Sequence, residues 1–155
     1  MQHEIQVIST DASFAENVVK IANELLWKCF SAGISEETVE AMNFCHAVWM
    51  ASADTTVAFA AIAKVDSTVF KLHAVCVDFD FRKEGRATAM VKKCESFVPS
   101  GCTLCLCVDN YEDSTLKLCE WYTSLGFERE DTSFEPCDED MEEEIVEIKF
   151  FKLIE

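Results

Sequence analysis

Three consecutive apolar segments, residues 44–51, 56–65 and 68–77, restrict the fold of this chain more than any other feature. They are rich in Val, Phe and Ala, and the breaks between them contain Asp54 and Asp66, which favour turns. The sequence therefore predicts an antiparallel meander of three strands.

Helical and strand-like patterns flank this meander. The 3.6-residue spacing of Phe14, Val18, Ile21 and Leu25 predicts a helix to about residue 30. The remaining predicted elements are a strand over 4–9 followed by cap candidates Thr10 and Asp11, a short helix capped by Ser35 and running to about Met42, a helix over 85–98, a strand over 102–108, a helix capped by Ser114 that turns Leu118 inward and ends at Gly126, and strands over 128–134 and 145–153. The order β-α-α-β-β-β-α-β-α-β-β predicts a mixed α/β sheet.

The length and composition predict one domain over residues 1–155. The chain has 155 residues, half of them hydrophobic, with 4 Gly, 2 Pro and no Ser-, Gly- or Pro-rich linker. The longest uncharged apolar run, residues 57–63, is far below the roughly 20 residues that a membrane-spanning helix needs. Because the first residues do not form a basic, apolar signal sequence, we expect a cytoplasmic protein.

The nine cysteines lie mainly in apolar strand and helix patterns, where a free thiol behaves as a small hydrophobic side chain. Their odd number favours a reducing compartment. Cys102, Cys105 and Cys107 include a CxxC pair, but a second pair and a nearby His are missing. We therefore expect a buried Cys-rich strand rather than a zinc site, and no metal.

The formal net charge of −16 makes nucleic acid and anionic membranes poor partners and favours cationic ones. Solubility alone is the simpler explanation of such a charge. Its distribution is more informative, because five of the 13 basic residues lie within residues 82–93, whereas residues 128–147 hold eleven acids and the single base Arg129. The sequence predicts one site for an anion and another for a cation.

Residues 77–87 run from a strand end through a basic turn into a helix, which is the arrangement of an anion site. Gly85 allows close backbone approach, and the small Ala87 keeps the first helical turn open. The glycines and lysine of a nucleoside triphosphate loop are absent, and so is a dinucleotide GxGxxG. An ordinary strand-to-helix connection remains the alternative.

The spacing from Arg82 to Ala87 matches the R/Q-x-x-G-x-G/A phosphate loop of the GNAT acetyltransferases, which the chain resembles over residues 68–127. Residues 118–128, reading LCEWYTSLGFE, are similar to the family's A-x-x-L-Y-x-x-x-G-F element, with Tyr122, Gly126 and Phe127 in register. The resemblance implies the GNAT fold, in which the fourth and fifth strands splay apart to admit acetyl-CoA.

The resemblance also implies which residues bind the cofactor. The pyrophosphate would lie on the backbone of residues 82–88 and the pantetheine along the end of the fourth strand. The family's Asn, seven residues before its Tyr, is Thr115 here, and Asn110 lies five residues earlier. The expected cofactor contacts are Val75, Cys76, Val77, Arg82, Lys83, Glu84, Gly85, Arg86, Ala87, Thr88, Asn110, Thr115 and Tyr122.

Tyr122 occupies the position at which many family members keep the general acid that protonates the departing thiolate. A phenol with an ordinary pKa of about 10 is protonated at neutral pH and can serve this role. The alternative is a core aromatic side chain on the helix. For the base that deprotonates the amine, His73 comes first, at a position where polyamine-acetylating relatives carry Glu, and Asp78 and Asp109 are alternatives that could instead bind the cation.

The acceptor site of this fold usually lies between the first two helices and the loop before the last strand. Here both regions are acidic, with Glu36 and Glu37 in the first, so the resemblance implies a polycationic acceptor such as spermidine, spermine or a diamine. The alternatives are a solvated charged loop, a peptide N-terminus or lysine-rich tail as acceptor, and a non-catalytic module that binds coenzyme A. The family also implies a homodimer.

Overall fold

The computed structural model describes residues 4–82, 85–109, 114–130 and 147–155, with only the backbone described for 109, 114–116 and 147. The elements follow the predicted order, with one short 3-10 helix added. The helices are α1 (Phe14–Phe30), α2 (Glu36–Ala41), α3 (Arg86–Glu95) and α4 (Ser114–Ser124), the 3-10 turn is Phe79–Phe81, and the strands are β1 (Gln6–Ser9), β2 (Phe44–Ser52), β3 (Thr55–Lys64), β4 (Val69–Val77), β5 (Thr103–Asp109), β6 (Glu128–Arg129) and β7 (Glu147–Leu153).

The strands form one seven-stranded sheet in the order β1-β2-β3-β4-β5-β7-β6. Of the strand pairs in the described part of the chain, only β4 and β5 are parallel, and the other pairs are antiparallel. The predicted mixed α/β sheet and its central meander are confirmed. No described helix is long and apolar enough to cross a bilayer.

Helices cover both faces of the sheet and form two apolar clusters. On one face α1 and α2 pack Val18, Leu25 and Val39 against β2, β3 and β4. On the other, Met90 and Val91 of α3 and Tyr122 of α4 pack against the same strands and β5. Because β3 is covered on both sides, every residue of its stretch 57–63 is buried.

The two N-terminal helices begin in different ways. At α2 the predicted cap is confirmed, because the Ser35 hydroxyl accepts a hydrogen bond from the Thr38 N–H at 3.1 Å. At α1 the expected caps are wrong by two to three residues. Asp11 accepts from the N–H of Ser13 at 2.8 Å and Thr10 donates to the Cys45 carbonyl, while Ser13 holds the cap position without a side-chain bond.

The parallel pair β4 and β5 stays together only at its beginning. Pairing covers Val69, Phe70 and Lys71 of β4, and among the described residues the rest of the strand has no partner on the β5 side. Where pairing stops, β4 carries a bulge: the register with β3 shifts between His73 and Cys76, and Ala74 has a φ of 56°. The bulge changes the direction of β4 and separates it from β5.

Substitutions of Ala74 test whether the backbone of this bulge is strained. A left-handed backbone costs an L-residue about 1–2 kcal/mol and costs glycine nothing. Replacing Ala74 by glycine therefore relieves this strain, and the relief offsets the extra conformational entropy that glycine loses on folding. We expect Ala74→Gly to change the free energy of unfolding by less than about 1 kcal/mol in urea denaturation. Ala74→Val should destabilise clearly, because a branched side chain fits this conformation poorly.

The matched control is Ala61→Gly, at a fully buried β3 position opposite His73 with ordinary backbone geometry. It should lower the free energy of unfolding by about 1 kcal/mol or more. Equal losses for Ala74→Gly and Ala61→Gly would contradict the strain argument.

Candidate active site

A cavity of about 580 Å³ lies along the end of β4, which β5 leaves unpaired. A volume of this size is typical of small-molecule sites. Its walls come from the end of α1, the end of β4, the turn into α3, and α4. The lining residues are Phe30, Val75, Cys76, Val77, Phe81, Arg82, Gly85, Arg86, Ala87, Thr88, Leu118, Trp121 and Tyr122.

The unpaired edge of β4 presents backbone groups to this cavity. The N–H of Asp78 bonds the Val57 carbonyl on β3 at 2.8 Å, so the adjoining pair of Val77 and Ala58 is the non-hydrogen-bonded kind. Since peptide groups alternate in direction along a strand, those of Val75 and Val77 point away from β3 and toward the gap. An extended chain with amide groups could bind along this edge as a further strand does.

The opposite end of the cavity is the start of α3. Gly85 is the N-cap with a φ of 77°, and a Cβ built on it meets nothing within 4 Å. The first N–H groups of a helix have no carbonyl partner within it, and its dipole favours negative charge there. Ala87 and Thr88 in this first turn line the cavity. The predicted anion cradle therefore opens into the cavity.

Two arginines brace the turn before α3. The Arg82 Nε donates to the Val77 carbonyl at 2.8 Å, and its guanidinium lies 3.9 Å from the ring centroid of Phe79. The Arg86 Nη1 donates to the Phe81 carbonyl at 2.9 Å. Both side chains thereby hold the turn in place while keeping positive charge beside the cavity.

Tyr122 forms part of the wall contributed by α4. Its side chain is buried, and burial raises the pKa of the phenol to about 12. The ring packs against Trp121, Phe127 and Phe150 with centroids 4.7, 5.8 and 6.0 Å away. The Trp121 indole donates to the Thr88 hydroxyl at 3.2 Å and so ties α4 to the first turn of α3. Tyr122 is thus both a core aromatic and a cavity residue.

The two described base candidates lie outside the cavity lining. His73 stacks on Phe44, with ring centroids 5.2 Å apart, and burial lowers the pKa of its imidazole to about 4. Asp78 is buried, accepts from Lys28 Nζ at 2.8 Å, and caps the 3-10 turn through the Asp80 N–H. The hydrogen bond from Lys28 holds the pKa of this carboxyl below its usual value. No carboxylate or imidazole of the described residues lines the cavity.

Other predicted site residues are exposed or lie outside the description. Glu36 and Glu37 are exposed in the first turn of α2. Asp109 ends β5, and Thr115 lies in α4, but their side chains are not described. Lys83, Glu84, Asn110 and the acidic residues of 131–146 lie outside the described residues.

Sequence reasoning missed Phe30 and misplaced Leu118. Phe30 is the last residue of α1, is 55% exposed, and lines the cavity. Leu118 was expected to point into the core but is 41% exposed and lines the cavity as well. Periodicity could not separate a side chain that faces the core from one that faces a cavity beside it. The exposure of Phe30 at a helix end depends on where α1 stops against β4.

Comparison with known proteins agrees with this geometry. The family described as "Acetyltransferase (GNAT) domain" matches residues 45–129, more than half of the chain. The chain belongs to the GNAT acetyltransferase family. Among curated proteins no significant match is found.

Solved structures support the fold of this GNAT acetyltransferase. The ribosomal-protein-S18-alanine N-acetyltransferase from Escherichia coli aligns with a TM-score of 0.65 and 19% identity, over 97% of this chain and 94% of that one. An aminoglycoside 6'-N-acetyltransferase complexed with coenzyme A aligns with a TM-score of 0.66 and 19% identity, over 95% of this chain and 96% of that one. An acetyltransferase of the GNAT family from Streptococcus pneumoniae aligns with a TM-score of 0.64 and 14% identity, over 97% of this chain and 100% of that one.

Family membership makes the protein an acetyl-CoA-dependent N-acetyltransferase. Its residues fit this cofactor, because the cavity joins an unpaired strand edge, suited to an amide-containing arm, to a helix start suited to phosphate. The open space at the Gly85 Cβ position leaves room for close approach.

Gly85→Ala tests this cradle in the GNAT acetyltransferase. With open space around the Cβ, the substitution adds only the strain of a positive φ, about 1 kcal/mol in the free energy of unfolding. We expect it also to raise the dissociation constant of coenzyme A about tenfold by calorimetry, because the methyl group faces the anion.

Gly101→Ala is the matched control, since Gly101 has a φ of 90°, equally open surroundings, and no place in the cavity lining. It should lose comparable stability and keep wild-type affinity for coenzyme A. Equal affinity losses in both variants would mean that strain, and not contact with the phosphate, causes the effect.

Proposed function

We propose that this GNAT acetyltransferase transfers the acetyl group of acetyl-CoA to a primary amine of a small polycationic acceptor, such as spermidine, spermine or a diamine. The amine attacks directly, with both substrates bound at once. The observation that carries the proposal is one cavity that joins the glycine-started helix, the free edge of β4 and the Tyr122 side chain. The nature of the acceptor is argued from charge.

In this proposal the backbone of residues 82–88 holds the pyrophosphate of the cofactor. Val75 pairs with the pantetheine arm through its peptide groups and Val77 through its N–H, because the Val77 carbonyl already accepts from Arg82, and Cys76 belongs to the same wall. When bound, acetyl-CoA supplies the thioester carbonyl that the amine attacks. The contacts of Lys83, Glu84, Asn110 and Thr115 with the cofactor stay predictions.

We assign Tyr122 as the general acid. The phenol lines the cavity, and a pKa of about 12 keeps its proton in place at neutral pH. A thiolate that forms beside the rings of Trp121 and Tyr122 is poorly solvated, and the phenol is the group on this wall that can supply the proton to neutralise it. The rings of Trp121, Phe127 and Phe150 fix its orientation.

The identity of the base stays a prediction, with His73, Asp78 and Asp109 as the candidates. The low pKa of His73 leaves the imidazole neutral at neutral pH, as a base requires, but any proton transfer from the cavity to this residue needs an intervening water. Asp78 is ionised but already engaged by Lys28. We therefore expect Asp78→Asn to affect stability more than the rate of transfer.

The acceptor proposal rests on the distribution of charge. Glu36, Glu37 and Glu40 are exposed on α2, which follows Phe30 at the cavity wall. The net charge of −16 raises the local concentration of multivalent cations, and acids beyond the reacting group can hold distal ammonium groups. The basic residues instead cluster around the turn into α3, where an anion is expected.

We also propose a single domain over residues 1–155 that works as a homodimer in the cytoplasm. Free cysteines support a reducing compartment, since all eight cysteines in the described residues are unpaired.

Tyr122→Phe removes only the hydroxyl and keeps the packing of the ring. We expect kcat for acetylation of spermidine to fall about 100-fold, with the dissociation constant of coenzyme A unchanged. Because the phenol keeps its proton to about pH 12, ionisation of Tyr122 should cause no decline in wild-type kcat between about pH 7 and 10. An unchanged kcat in the variant would remove Tyr122 from the mechanism.

The double variant Glu36→Gln, Glu37→Gln tests the cationic acceptor. Losing two charges should raise the KM for spermidine about fivefold to tenfold at low salt, and the difference should shrink at about 0.5 M salt as screening increases. Glu16→Gln with Asp54→Asn is the control, because it changes the charge equally at exposed sites outside α2.

An amine panel decides between acceptor classes. Acetylation of polyamines that basic peptides inhibit poorly supports the proposal, whereas preference for a peptide N-terminus or a lysine-rich tail would assign a protein substrate. Binding of coenzyme A without acetylation of any amine would contradict the acceptor proposal.

A further inference from the structure

Two thiols meet at the wall of the cavity, and neither sulfur takes part in the chemistry of acetyl transfer described above. Cys29 belongs to the last turn of α1, and Cys76 lies on β4 two residues after the bulge. The Cys29 thiol donates to the Val77 carbonyl with Sγ and O 3.8 Å apart. The Cys76 side chain, on the face of the sheet that α1 covers, contacts the same Cys29 side chain.

The two cysteines differ in accessibility. Cys29 is partly exposed, whereas Cys76 is 5% exposed, and burial raises the pKa of the Cys76 thiol. Arg82 places a guanidinium nitrogen 4.0 Å from the Cys29 sulfur. A positive charge beside a partly exposed thiol is the environment in which cysteines react with oxidants, whereas a buried thiol reacts slowly with reagents from solution.

We propose that Cys29 and Cys76 are a redox modification site that forms an intramolecular disulfide in response to a hydroperoxide. Cys29 reacts first: its sulfur takes the terminal oxygen of hydrogen peroxide, giving a sulfenic acid and one water. The Cys76 sulfur then attacks the Cys29 sulfur, and the hydroxyl group leaves as a second water with the thiol proton. Two thiols lose two electrons in total, and the peroxide is reduced.

The position of this bond implies a consequence for the cavity. Phe30 follows Cys29 directly and lines the cavity, as Cys76 does. A covalent S–S bond of about 2 Å is shorter than a thiol contact, so its formation draws the end of α1 toward β4. Oxidation thereby shifts Phe30 and the edge of β4 and lowers acetyl transfer. This consequence rests on the proposed function, whereas formation of the bond does not.

Peptide mapping of the full chain tests the site directly. After brief treatment with hydrogen peroxide and a non-reducing tryptic digest, we expect the peptide of residues 29–64 to be linked to that of residues 72–82, with the loss of two hydrogens. A reductant should release both. Because the first peptide also contains Cys45, the variant Cys45→Ser must give the same link.

The matched variants are Cys29→Ser and Cys76→Ala. Neither should form the link, and in Cys76→Ala the sulfenic acid at Cys29 should persist and be trapped by dimedone. The proposal is overturned if the link survives in Cys29→Ser, if it disappears in Cys45→Ser, or if Cys76 stays a thiol at peroxide doses that oxidise Cys29. If circular dichroism shows that Cys76→Ala folds poorly, the digests of wild type, Cys29→Ser and Cys45→Ser still test the link.

Activity provides a second readout. Peroxide should lower amine acetylation by wild type about tenfold, reversibly with a reductant, and should leave Cys29→Ser unaffected. Wild-type protein that carries the bond and keeps its full transfer rate would overturn the regulatory role. A protein that acetylates no amine but still forms the link would contradict the proposed acceptor and not the thiol site.

Discussion

The separation of β4 from β5 is the constraint on which the rest of this structure depends. Parallel strands normally pair along their whole length, because an unpaired row of N–H and C=O groups is costly when it is buried. Here pairing covers three residue pairs and then stops at the bulge around Ala74. The peptide groups of Val75 and the N–H of Val77 have no β5 partner and can meet a ligand, and the cavity lies along this end of β4.

Packing on both faces keeps this gap open. Below the split, β3 is buried between α1 on one face and α3 on the other, and Phe70 and Leu72 of β4 pack in the same cluster as α3, so the strands cannot slide to restore pairing without exposing apolar surface. Trp121 and Tyr122 close the side of the cavity, and the bond from Trp121 to Thr88 fixes α4 against the start of α3. The helix start that offers N–H groups to an anion is therefore held at a set distance from the phenol.

Positive and negative charges lie in different parts of the molecule. Arg82 and Arg86 place positive charge at the turn before α3, although their side chains are engaged with the Val77 and Phe81 carbonyls. The exposed carboxylates of α2 lie on the segment that follows Phe30. The anionic cofactor and the proposed cationic acceptor would thus be attracted to the same cavity from regions of opposite charge, which an evenly spread charge of −16 would not achieve.

Local patterns determined the order of the elements, the Ser35 cap, the meander and the glycine-started helix, because period-2 and period-3.6 spacing and capping chemistry depend on neighbouring residues. Tertiary structure alone decided which side chains face the cavity. His73 and Asp78 carry suitable chemistry but lie outside the cavity lining, and Phe30 and Leu118 line it without any chemical signal in the sequence. The proximity of the Cys29 and Cys76 side chains, far apart in sequence, likewise follows only from the packing of α1 on β4 beside the bulge. Sequence spacing encodes the conformation of each segment, whereas contacts between distant segments follow from how the whole core packs.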